Sequence, residues 1–184
     1  MGTIGKDFKY KIIPSFLTKD ELEILKIYCE MKHRTNITSF DEIQSDTLDT
    51  KYYGDPLMES ILLKKIKLME KESGKNLLPT YAFWRMYTKF SDLKKHSDRD
   101  SCEISVTVNV GSDKPWPIYM EGTPVTLEPG DAVMYLGCEL EHWREVYDGD
   151  WCAQFFLHYV DKEGKNTEHF RDKRHYWGIK KNAI

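Results

Sequence analysis

The chain has 184 residues, 40% of them hydrophobic and 31% charged, and a formal net charge of -3. That length suits one domain with a sizeable core, and the slight acidity argues against a dedicated nucleic-acid binder, whose phosphate partner calls for a basic surface. No apolar run is long enough to span a membrane, the opening residues lack the apolar stretch of a signal peptide, and Cys29, Cys102, Cys138 and Cys152 form no C-x-x-C pair, so the reading is a reduced, cytoplasmic protein without membrane contact.

The first predicted elements are a short strand in "KYKII" and a helix opening at Thr18, where Glu21 three residues on completes a capping box and Leu22, Leu25, Ile27 and Cys29 follow roughly helical spacing. Residues 33–54 are polar and aperiodic and are read as a long loop. A second helix follows, with Pro56 in its first turn and Leu57, Ile61, Leu62, Ile66 and Met69 on one face. From residue 80 the period changes to two, giving short strands in "TYAFWRMYTKF", "CEISVTVNV", "WPIYM", "PVTLE", "DAVMYLG", "HWREVY" and "WCAQFFLHYV", with turn signals at 112–113, 129–131 and 148–150. Strands this short and closely spaced leave no room for helical crossovers. The expected class is therefore α+β, with antiparallel sheets packed as a sandwich or jelly roll. Within a single domain, 1–184, residues 1–80 supply a strand and supporting helices, 81–161 the jelly-roll core and 162–184 an extension. The extension, "HFRDKRHYWGIKK", mixes basic and aromatic residues as single-strand nucleic-acid binders do. As one segment of an acidic chain, it is read instead as a cover for the sheet.

The stretch "LKKHSDRDSCEISVTVNV" places His96 and Asp98 two apart, on one face if the strand is regular, and His142 opens a later strand. Two imidazoles and a carboxylate make the facial triad of non-haem iron(II) oxygenases, which leaves three coordination positions open. A His-x-Asp pair alone is common; the strand grammar and the distal His142 give it weight. Asp100, which keeps the parity of His96, and Glu103 compete with Asp98 as ligand, and Asp98 stays the choice. Cys138 and His142 lack the second Cys/His pair that a structural zinc site needs.

The segments "FLTKDELEILK", "YAFWRMY", "LKKHSDR" and "PGDAVMYLG…EHWRE", in that order, resemble the prolyl-hydroxylase-like branch of the iron(II)/2-oxoglutarate dioxygenases over roughly residues 8–161. The resemblance implies a double-stranded β-helix core of jelly-roll, cupin-like type with N-terminal helices packed on one sheet, and iron(II) held by His96, Asp98 and His142. It also implies 2-oxoglutarate and O2 as co-substrates, succinate and CO2 as co-products, and hydroxylation of a prolyl-type protein side chain or a small amino-acid-like molecule. A nucleic-acid demethylase of the same superfamily and a non-catalytic jelly-roll module that holds a metal or sugar stay open as alternatives.

One position departs from the resemblance. The family carries an Arg or Lys about ten residues after the distal histidine, where this chain has Cys152, and the same-face neighbours Gln154, Phe156 and His158 supply no fixed cation. Arg144, two residues after His142, is the expected substitute, since its planar fork suits a carboxylate. Ser105, Thr107 and Asn109 share one strand face, and Thr107 and Asn109 are expected to hydrogen-bond the co-substrate, with Tyr87 beside it. His158, Trp116 and Trp143 are expected to line the substrate side, with the 33–54 loop as a lid.

Overall fold

The computed structural model describes residues 9–35 and 49–179. Its elements run β1 (Tyr10–Ile13), α1 (Lys19–Thr35), β2 (Thr50–Tyr53), α2 (Pro56–Ser73), β3 (Leu77–Thr88), β4 (Leu93–His96), β5 (Ile104–Ser112), β6 (Ile118–Met120), β7 (Thr123–Val125), β8 (Ala132–Leu136), β9 (His142–Arg144) and β10 (Trp151–Asp161), with 3-10 turns at Asp100–Cys102 and Thr167–Lys173. They form a six-stranded sheet, β1-β8-β5-β10-β3-β2, and a four-stranded sheet, β4-β9-β6-β7. Every pairing among the described residues is antiparallel. No described helix is long and apolar enough to cross a membrane.

The capping box forms as the sequence suggests: the Glu21 N–H donates to Thr18 Oγ1 (3.2 Å) and the Thr18 N–H to Glu21 Oε2 (2.9 Å). Glu21 also receives Lys64 and Lys65 from α2, at 2.8 and 2.7 Å, which ties the helices together. Burial pushes the Glu21 carboxyl up, but hydrogen bonds from both lysines and the Thr18 N–H outweigh it and bring the pKa down to about 2. A carboxyl lowered in the folded state stabilises above its unfolded value, and that contribution fades as pH falls toward the folded one. Glu21→Gln should therefore lower the melting temperature at neutral pH, with the gap to wild type closing between about 4.5 and about 2. Thermal melts across that range check it; a gap independent of pH would show that the charge is not what stabilises. Helix α2 starts at an Asp55 cap whose Oδ1 accepts from the Leu57 and Met58 N–H groups (3.0 and 3.3 Å) and ends at Gly74 with φ 71°.

Side-chain alternation sends the two faces of the larger sheet to different tasks. Val106 and Val108 of β5, Phe155 and Leu157 of β10, and Trp84 of β3 join Leu25 of α1 and Leu62 of α2 in one apolar core. The opposite face is buried too but carries Ser105, Thr107, Asn109, Gln154, His158, Arg85 and Tyr87. That polar face meets the smaller sheet, and the site lies between them.

Three expectations need correction. Of the predicted 33–54 loop, residues 33–35 end α1 and Thr50–Tyr53 is a strand paired with β3, with Tyr52 stacked on Trp84 (5.2 Å, 13°); residues 36–48, and with them most of the expected lid, lie outside the described residues. His96 and Asp98 do not precede β5 on one strand: His96 ends β4 in the other sheet, and Asp98 follows in an irregular connection. The strand in "HWREVY" stops at Arg144. The extension folds back onto α2 and β3. Buried Arg174 pairs with Glu59 and donates to the Thr80 carbonyl at 3.2 Å, and buried Asp172 accepts from Tyr53 Oη (2.5 Å) and Arg99 (2.9 Å).

Candidate metal centre

Pairing of β4 with β9 sets His96 directly opposite His142, with ring centroids 4.3 Å apart. The connection after β4 carries Asp98 to them, its N–H donating to the Gly137 carbonyl at 2.8 Å. Gly137 has to be glycine: a Cβ there would sit 2.5 Å from Asp98 Oδ2 and 2.6 Å from Ser105 Oγ. Asp98 Oδ1 lies 3.6 Å from His96 Nε2 and 3.7 Å from His142 Nε2, and a donor atom of each residue lies within 4.8 Å of the others. The Nδ1 atoms face backbone carbonyls, Lys94 O at 2.7 Å and Leu140 O at 3.0 Å. A carbonyl only accepts, so each Nδ1 carries the hydrogen and each Nε2 presents its lone pair toward Asp98.

The electrostatics agree. Burial pushes the Asp98 carboxyl up, but His96, His158, His142 and the Ser105 hydroxyl hold it below its ordinary value. Burial lowers the His142 pKa, whereas at His96 the pull of Asp98 and the Lys94 carbonyl overcomes burial and raises it. An ionised carboxylate beside two imidazoles with fixed tautomers suits a divalent first-row metal.

Arg144 points to the same side of β9 as His142. Its guanidinium is buried, donates to the Trp116 carbonyl and to Gln154 Oε1 (2.9 Å), lies 4.8 Å from the Trp116 ring, and leaves Nε without a partner among the described residues. Burial lowers its pKa. The buried guanidiniums of Arg85 and Arg174 face Asp49 and Glu59; Arg144 faces no carboxylate among the described residues.

The structure brings Thr107 to this interior, its Oγ1 3.4 Å from Tyr135 Oη, and Tyr87, edge-on to Trp116 at 4.9 Å. Asn109 Nδ2 donates one hydrogen to the Leu127 carbonyl at 2.7 Å and keeps a second, and its buried Oδ1 has no partner among the described residues. His158 is buried against Tyr81 (ring centroids 4.4 Å apart), and burial pushes it down to about 4. Trp116 forms the bed of Arg144. Trp143 alternates with His142 and Arg144 and so occupies the other face of β9, stacked on Tyr119 (5.3 Å, 9°) beneath Lys95. Sequence reasoning passed over Ser105, Gln154 and Tyr135. The first two shared strand parity with residues it chose; Tyr135, whose ring lies 4.8 Å from His142, gave no signal.

No family model matches the chain, and no curated protein does. Solved structures do. A Pseudomonas putida prolyl-4-hydroxylase superposes with TM-score 0.64 at 14% identity, over 84% of this chain and 94% of its own. A viral collagen prolyl hydroxylase from Paramecium bursaria Chlorella virus-1, in a 2-oxoglutarate complex, gives 0.64 at 11% identity, over 83% and 96%. HygX from Streptomyces hygroscopicus, with nickel and 2-oxoglutarate bound, gives 0.66 at 12% identity, over 86% and 84%. Identity this low speaks for the fold: the chain has the jelly-roll-like fold of the 2-oxoglutarate/iron(II) oxygenases, in the form seen in prolyl hydroxylases.

Proposed function

We propose that the chain is an iron(II)- and 2-oxoglutarate-dependent oxygenase built on a double-stranded β-helix with its helices backing the larger sheet. Its substrate is a prolyl-type protein side chain or a small amino-acid-like molecule, oxidised by hydroxylation. The observation that carries this is Arg144, a buried guanidinium without a carboxylate partner among the described residues, two residues along β9 from His142. Two strand residues span about 7 Å. A five-carbon dicarboxylate is about 5 Å end to end, at about 1.5 Å per C–C bond. A molecule of that size bridges the histidine–carboxylate cluster and the guanidinium, and neutralises a charge that is otherwise costly to bury.

When bound, iron(II) with 2-oxoglutarate and O2 supplies the oxidation of a substrate C–H bond, releasing succinate and CO2. The chain's own part is binding and orientation. His96, Asp98 and His142 hold the metal, and Arg144 pairs with the far carboxylate, assisted by the Thr107 and Tyr87 hydroxyls. The Trp116 ring fixes the guanidinium plane, and Trp116 with Tyr147 closes that end of the interior against water.

Anaerobic iron(II) and 2-oxoglutarate should give wild type a weak visible charge-transfer band. Charge-assisted hydrogen bonds contribute about 1.5–3 kcal/mol each, so Arg144→Ala should weaken 2-oxoglutarate binding by at least about tenfold. Its metal affinity should stay unchanged, and Arg144→Lys should fall between. Calorimetry on the metal-loaded protein measures this. An unchanged 2-oxoglutarate affinity in Arg144→Ala would refute the assignment, and a succinate-release screen of peptides and amino acids addresses the substrate.

A further inference from the structure

The two oxygens of Asp98 have different surroundings. Both imidazole Nε2 atoms approach Oδ1, at 3.6 and 3.7 Å, while Oδ2 accepts the Ser105 hydroxyl at 2.7 Å. Hydrogens around Ser105 can be counted. An ionised carboxylate only accepts, so the single Ser105 proton goes to Oδ2, and the 3.2 Å approach of Oγ to the Cys102 carbonyl is secondary. Oγ also lies 2.9 Å from His158 Nδ1. With the hydroxyl proton committed, that contact takes its hydrogen from the imidazole, which makes His158 the Nδ1–H tautomer and the donor.

Strand register fixes this chain of bonds. Ser105 on β5 stands directly opposite His158 on β10, and the Tyr81 ring packs against the imidazole. His158 is 6% exposed and Ser105 0%, so the contact between them is shielded from competing water. Cys102 Sγ also lies near Asp98 and His158. Burial pushes its thiol well up.

We infer that Ser105 and His158 are positioning residues that hold Asp98 as a one-oxygen metal ligand. The inference rests on the metal reading proposed above. A carboxylate free to turn can bind through both oxygens and take a fourth coordination position. With Oδ2 engaged by Ser105 only Oδ1 is offered, and three of six positions remain for a two-point chelating co-substrate and dioxygen. His158 sets the direction of the Ser105 hydroxyl and so the orientation of Asp98.

Cobalt(II) is a suitable probe, because its visible bands report affinity and coordination without turnover. Wild type should bind one cobalt(II), and His142→Ala should bind none. Ser105→Ala, which removes one oxygen, should weaken cobalt(II) binding about 10–100-fold, the usual effect of losing an outer partner, and alter the visible bands. His158→Leu should do the same, whereas His158→Asn, whose amide N–H can take the place of Nδ1–H, should bind close to wild type. Circular dichroism confirms folding; should His158→Leu misfold, Ser105→Ala and His158→Asn carry the test. Wild-type affinity and spectrum in Ser105→Ala would overturn the inference while leaving the metal reading intact. Equal losses in folded His158→Leu and His158→Asn would overturn the role of His158. A wild type that binds no cobalt(II) would sink the metal reading and this inference with it.

Discussion

Replacement of His142 by alanine is expected to abolish metal binding and, with it, succinate formation, while the fold survives. His142 is 2% exposed, with its Nδ1–H held by the Leu140 carbonyl and its Nε2 directed at Asp98. Its loss leaves one imidazole and one carboxylate, too few ligands to hold a divalent ion against water. The affinity loss should exceed the 10–100-fold typical of an outer partner. The apolar core that carries the fold lies on the far side of the larger sheet and does not include His142, so the melting temperature should move by only a few degrees. Calorimetry with cobalt(II) and detection of succinate by NMR provide the check. Retained wild-type affinity and turnover in His142→Ala would remove the basis for the metal centre.

Arg174→Ala should be the most destabilising single change in the C-terminal extension. The side chains of Arg174 and Glu59 are 0% and 1% exposed and pair directly, and Arg174 also donates to the Ile179 carbonyl at 2.7 Å. Removing the guanidinium leaves Glu59 buried with the Gly178 N–H as its remaining donor among the described residues. Breaking a buried pair from one side costs about 3–5 kcal/mol. For a chain of this size that corresponds to roughly 6–20 °C in melting temperature, at about 2–4 °C per kcal/mol. Replacing both partners, as in Glu59→Leu with Arg174→Met, should recover much of the loss, because no uncompensated charge remains. A melting temperature within about 2 °C of wild type for Arg174→Ala would show that the extension lies outside the cooperative unit.

Local chemistry was legible in the sequence wherever a few neighbouring residues decide it. Thr18 and Glu21 announce a capping box because both halves lie within one helical turn, and the alternation along 104–109 shows a strand with one apolar and one polar face. Arg144 could be placed beside His142 by parity alone, and the same parity puts Trp143 on the other face. The departures involve partners far apart in the chain. Strands β2 and β4 have four residues each, too short for a period to show, and exist because β3 and β9 pair with them. The Ser105–His158 contact depends on the β5–β10 register, across 53 residues of sequence. Trp116 precedes β6, and nothing in its neighbourhood announces that it would lie under a guanidinium.

Alternation on the three central strands of the larger sheet has a consequence for how the chain tolerates change. On β5 the even-numbered residues meet the helices and the odd-numbered ones the interior; on β3 the same holds from Tyr81 onward, and on β10 the order is reversed. A saturation scan should therefore show a two-residue rhythm in two separable phenotypes. Substitutions at 106, 108, 155 and 157 should reduce abundance and be rescued at low temperature, because what they lose is packing. Substitutions at 105, 107, 154 and 158 should leave abundance high and ligand binding impaired at every temperature. Selection acting on one trait can then move along one set of positions while the other is held fixed, so packing and ligand binding can be adjusted independently on one sheet.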